Sequence, residues 1–239
     1  MRSAAFFAVT AAWAAAGATL AAFGFVGWSG SGLYLAWVEH GWSDGSGLPW
    51  AVLEVISVPD GGTVYRDEFF PDEDDFTCAV DDGPGEFDPG AALVEGARPL
   101  LDSLGIVTGN GGDLLVCHPL TDSGADPDRA SFYGWTAGVD YHGPEYRLVL
   151  TETLSGEEQV PDWFPPPVLL RLILERVGGG EVELASDTAP VRGYTNVYDY
   201  RIREVRTHSG RYVAVVLDTA VPGFEGADGA FRVVTGLLP

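Results

Sequence analysis

The side chains able to do chemistry are few and scattered. Glu39 precedes His40, a pair of types suited to acid/base work. Asp44, Gly45, Ser46 and Gly47 can present a carboxylate, a hydroxyl and backbone amides to a ligand, and the same tetrad is an excellent turn. Near the C-terminus, "PGFEGADG" carries Glu225 and Asp228 between glycines. Asp44, Ser46, Glu225, Asp228 and Glu39 are therefore the candidate ligand-binding residues. Paired carboxylates among them would suit a hydrolase, because such groups must flank one bond. No catalytic residue is assigned. Gly27-Trp28-Ser29-Gly30 falls short of G-x-S-x-G, and a hairpin is the wrong place for a nucleophile elbow. His40, His118, His142 and His208 lack H-x-x-H or H-E-x-x-H spacing, so no metal centre and no cofactor is expected. The acidic stretch from Asp67 to Asp88 lacks the residue order of a calcium loop, which leaves structural calcium binding as a minor alternative.

Cys78 and Cys117 are too far apart for a C-x-x-C site; in an exported chain, they most simply form one disulfide, with two buried free thiols as the alternative. Export is expected from the first residues. Arg2 is followed by an uncharged, alanine-rich run from Ala4 to Ala22, with small residues that permit cleavage after Ala18 or Ala21. A leader over residues 1–21 would precede one domain over 22–239, working outside the cytoplasm as a secreted or periplasmic protein. An uncleaved anchor is the rival reading. The chain of 239 residues has 35 acidic and 13 basic side chains, a formal charge of −22, and no lysine. Such a surface repels phosphate backbones and anionic headgroups, so nucleic acid and membrane are poor partners once the leader is gone.

The elements that must position these groups are mostly strands. Phe23 to Trp28 and Leu33 to Val38 flank a "SGSG" hairpin turn, and Trp50 to Val58 is a third strand. The second run is apolar on both faces, which predicts a sheet covered on both sides. Asp60 to Pro89 reads as a long acidic loop. Asp88 and Pro89 then cap a helix whose apolar residues run from Leu93 to Leu104, with Pro99 kinking it or splitting it near Arg98. Strands resume at "GDLLVCHP" and continue to the C-terminus. The run "VLLRLILERV" also fits a helix face, but the prolines before it and glycines after it favour a strand. About ten strands and one helix predict a mainly β, β-rich α+β fold: an antiparallel sandwich or propeller-like sheets with one packed helix. "SGLYLA" and "SGRYVA" are the one hint of two related units. Of Trp28, Trp37, Trp42 and Trp50, which could form a sugar platform, two lie on strands where burial is expected.

The segment "FVGWSGSGLYLAWVEHGWSDGSGLPW" resembles the opening signature of a family of predicted secreted bacterial proteins, the domain of unknown function 2259. Gly27, Ser29, Gly32, Tyr34, Ala36, Gly41, Asp44, Gly45, Ser46, Gly47 and Pro49 carry the likeness. "ALVEGARPLLDSLGI" and "PGFEGAD" extend it along the mature chain. Ser31 and the pair Gly229-Ala230 depart from the family pattern, which puts an anion-binding role for the C-terminal motif in doubt. The resemblance implies export and a shared fold, and no activity. The function expected is noncatalytic binding of an unknown envelope ligand or protein, with the 44–47 and 223–228 loops converging at one end of the sheets; the alternative is that Glu225 and Asp228 only hydrogen-bond within their own turn.

Overall fold

The structure, a computed structural model, describes residues 21–43, 46–71, 87–134, 143–156, 165–189, 196–223 and 227–239. Among them, twelve strands form three four-stranded antiparallel sheets. The first contains β1 (Ala22–Trp28), β2 (Tyr34–Trp42), β3 (Pro49–Ser57) and β4 (Gly62–Phe69), in that order. Two short helices follow, α1 (Pro89–Gly96) and α2 (Arg98–Ser103). β5 (Asp113–Cys117) joins the central sheet, whose order is β12-β11-β10-β5, with β10 at Asp199–His208, β11 at Tyr212–Pro222 and β12 at Ala227–Leu237. The third sheet is β6 (Arg129–Tyr133), β7 (Glu145–Leu154), β8 (Val168–Arg176) and β9 (Glu181–Ser186).

The alternation of side chains fixes the stacking of the sheets. On β11, Val213, Val215 and Leu217 pack with Leu148, Leu172 and Leu174 of the third sheet. The intervening Tyr212, Ala214 and Val216 pack with Trp28, Leu35 and Trp37 of the first. The central sheet is thus covered on both faces, which is why β11 is a nearly continuous apolar run. β2 is also covered on both sides, as its sequence predicts. Leu35 and Trp37 face the central sheet, and Ala36 and Val38 face Ala97, Leu101 and Ile106 of the helical segment. The order is helices, first sheet, central sheet, third sheet: layers rather than propeller blades.

The two "S-G-x-Y-x-A" stretches both make hairpin turns, one leading into β2 and the other into β11. The turns meet across the first and central sheets. Gly32, at φ +75°, leaves no room for a side chain against the Tyr212 ring, and Trp28 stacks on His208 at 5.5 Å.

Two expectations need correction, β4 and the disulfide. β4 lies inside the stretch read as loop. Its side chains are mostly exposed, so it lacks an apolar signal, and it exists because its backbone completes the edge of β3. The helix is divided as the sequence leads one to expect, into two at Ala97, where Pro99 enters the first turn of α2. The expected disulfide receives no support: Cys117 is a free, exposed thiol on β5, and Cys78 lies outside the described residues.

The Asp88 cap is as predicted, its Oδ1 accepting the Ala91 N–H at 3.0 Å. Asp88→Ala is expected to cost about 1 kcal/mol in urea unfolding. A loss below about 0.3 kcal/mol would mean the cap contributes nothing.

Candidate functional site

β12 forms one edge of the central sheet, and its outward backbone groups define the site. Its register with β11 is unbroken from Ala227 to Leu237, so alternate residues turn their N–H and C=O away from β11. Gly229 and Phe231 belong to the outward set. The Gly229 carbonyl accepts from Ala21 N–H at 3.4 Å, and the Phe231 N–H donates to Glu39 Oε2 at 3.1 Å. Val233 and Thr235 continue the set. Among the described residues, no hydrogen bond reaches their outward N–H or C=O groups. Instead this part of the edge faces a cleft of about 230 Å³.

The overhang of the neighbouring sheets makes the cleft. Glu54, Ile56, Asp60 and Thr63 of the first sheet line one wall, and Leu184 to Asp187 of the third sheet line the other. β3 lies over β12, where Thr235 Oγ1 donates to the Val58 carbonyl at 3.1 Å, so β4 projects beyond it. Below, β9 is held against β12 by Gly236, where any side chain would strike Leu184.

Arg232 anchors this side. Its two terminal nitrogens donate to Asp187 at 2.6 and 2.9 Å, a bidentate pair, and its guanidinium lies 5.9 Å from the centre of the Tyr200 ring. Although burial alone would lower it, the pairing raises the Arg232 pKa further above its ordinary value. On the opposite wall, Glu54 accepts from Thr63 Oγ1 and lies 3.8 Å from Arg66. Asp60 is fully exposed, and its carboxylate accepts from the Gly62 N–H at 3.2 Å.

The structure divides the residues singled out in the sequence. Glu39 is buried between the first and central sheets. Burial pushes its pKa up to about 7, against the lowering effect of the Phe231 N–H. His40 points the other way, toward Gly90 and Asp88 at the start of α1, so the two neighbours do not form an acid/base pair. Ser46 Oγ accepts from the Leu48 N–H at 3.3 Å within its exposed turn. Asp228 pairs in register with Val221, and its charge adds to the rise of the Tyr198 hydroxyl pKa to about 12, which burial dominates. Asp44 and Glu225 lie outside the described residues. The expected convergence of their two loops therefore lies outside the described residues as well. Of the tryptophans, Trp28 and Trp37 are fully buried core, while Trp50 stacks on Phe70.

Sequence reading missed a second carboxyl group set. Glu152 at the end of β7 accepts the Tyr200 N–H at 2.6 Å, and burial, then Asp199, push its pKa up to about 8. Burial raises Asp199 to about 6, with Arg201 opposing at 3.6 Å and Asp128 reinforcing. These groups can hold a proton near neutral pH. Their signal was invisible because they come together only when β7 packs on β10. Among the described residues, no three His, Cys, Asp or Glu side chains are grouped to hold a metal ion.

Three stacked antiparallel sheets with a helical cover and a cleft at aligned edges define a mainly β protein of layered sheets. The chain belongs to the family described as predicted secreted protein (DUF2259), which matches residues 36–236. No curated protein and no solved structure matches it. Export, expected from the N-terminal run, agrees with the family's description. Among the described residues, no helix is long and apolar enough to cross a membrane.

Proposed function

We propose that the protein is an exported, noncatalytic binding protein of the cell envelope, and that its ligand or partner seats in the cleft at the edge of β12. One observation carries this reading: polar main-chain groups of Val233 and Thr235 face a preformed cleft between two sheet edges, while further along the same edge the Gly229 carbonyl and the Phe231 N–H have internal partners. Backbone groups so placed require a partner or water. The Arg232–Asp187 pair keeps one wall rigid, as a binding surface that changes little on association requires. The absence of catalytic spacing in the sequence supports binding over hydrolysis.

The test is a photo-crosslinking residue at Ser186, an exposed position on the cleft wall, in protein exported by its own cells. A defined adduct is expected there and not from the same residue at Ser103, exposed on α2. Equal labelling from both positions, or none, would overturn the reading.

A further inference from the structure

The cleft's geometry specifies its occupant more closely. We propose that it receives an extended peptide segment of alternating basic and apolar residues, which pairs antiparallel with β12 as a fifth strand of the central sheet. This deepens the binding reading above and rests on it.

The main chain comes first. The four residues Arg232 to Thr235 line the cleft, and two of them, Val233 and Thr235, present outward N–H and C=O groups. An added strand would use those groups as sheet edges are used in strand addition. Antiparallel pairing continues the pattern of every pair in this sheet. The β1 edge of the first sheet is covered at Val26 and Trp28, which bond to Val107, Gly109 and Asn110. The β12 edge between Arg232 and Thr235 has no such cover among the described residues.

The walls then dictate the side chains. An inserted strand would point alternate residues at the first and third sheets. The first-sheet wall offers Glu54, Asp60 and Thr63 beside Ile56, which together favour cationic side chains; the third-sheet wall offers Leu184 and Ala185 beside Ser186 and an Asp187 already paired with Arg232, which together favour apolar ones. Across the lining, Glu54, Asp60 and Asp187 face the single cation Arg232, and Arg66 offsets Glu54 from outside. The field of the whole chain, at −22, attracts a basic segment and repels a second copy of the chain.

Geometry also fixes which amides matter. Val233 and Thr235 direct their side chains at the first sheet and their backbone groups outward. In an antiparallel pair, directly opposed residues share a face and, at such positions, exchange both hydrogen bonds. The basic residues of the peptide therefore carry the amides that bond to β12, and the apolar residues carry those that point away.

The probe is an acetylated, amidated hexapeptide of alternating lysine and valine, titrated by fluorescence anisotropy against the full exported protein. Saturable binding is expected. Methylating the lysine amides should weaken it about tenfold or more, while methylating the valine amides should change it less than about twofold. Replacing lysine by glutamate should abolish it. Val233→Pro removes an outward donor without touching a bond to β11, and should weaken binding about tenfold. Should that variant misfold, Asp60→Asn provides the second test. It keeps the oxygen that accepts from Gly62 and should weaken binding about threefold. Equal loss from both methylation patterns, loss from neither, or no binding at all would overturn the proposal, as would a concentration-dependent dimer that competes with the peptide. If Ser186 still gives its specific adduct while the peptide fails, the strand proposal falls and the binding reading stands.

Discussion

Arg232→Ala is expected to destabilise the protein by about 3–5 kcal/mol. The reason is the partner left behind. Asp187 is almost wholly buried, its side chain 8% exposed, and both its oxygens are occupied by the guanidinium. Removing Arg232 leaves an ion in a site that water cannot fully solvate, next to the aromatic face of Tyr200. A loss of this size would lower the melting temperature by on the order of 10 °C for a chain of this length. The pair Arg232→Met with Asp187→Leu should recover most of the stability, since replacing both ions leaves no unpaired charge. A loss below about 1 kcal/mol for the single variant would mean that the pair is effectively solvated.

The second large effect is a dependence on pH. The Glu39 carboxyl, ordinarily at 4.5, is raised to about 7 in the folded protein by burial between the sheets. The folded chain thus binds this proton more tightly than the unfolded chain does. Stability from this group is greatest below about pH 4.5, declines as pH rises toward 7, and is lost above that value. Integrated over that interval, the loss is about 3 kcal/mol. Glu39→Gln keeps an oxygen to accept the Phe231 N–H and cannot ionise. It should match the parent protein near pH 4 and exceed it by about 3 kcal/mol at pH 9. Glu152 and Asp199 shift in the same direction, so a residual decline remains in both proteins and the difference between them isolates Glu39. Parallel stability curves would show that Glu39 is not buried as described.

The contrast between what could and could not be read in the sequence has a physical basis. Strands with a strong alternating or continuous apolar pattern, such as β2, β8 and β11, were legible because burial selects their side chains directly. The split helix was legible because Pro99 breaks the ladder locally. β4 was not, since its strand character comes from backbone pairing with β3 and its side chains face solvent. The cleft was also hidden. Nothing in "AFRVVTG" says that its alternate amides lack partners, because that depends on how far the first and third sheets overhang the central one. In the sequence Glu39 stands only as a candidate ligand-binding residue beside His40. Its observed contact is a structural one: it fastens the first sheet to the β12 edge by accepting the Phe231 N–H.

Amide hydrogen exchange along β12 tests the central claim most directly. Arg232 and Val234 turn their backbone groups toward β11 and should be well protected, and Phe231 should be protected by Glu39. Val233 and Thr235, facing the cleft, should exchange faster than Arg232 and Val234 by on the order of a hundredfold, and should slow when the lysine–valine hexapeptide is added. Equal protection at residues 232 to 235 in the free protein would contradict the account, because it would mean that the edge is already covered.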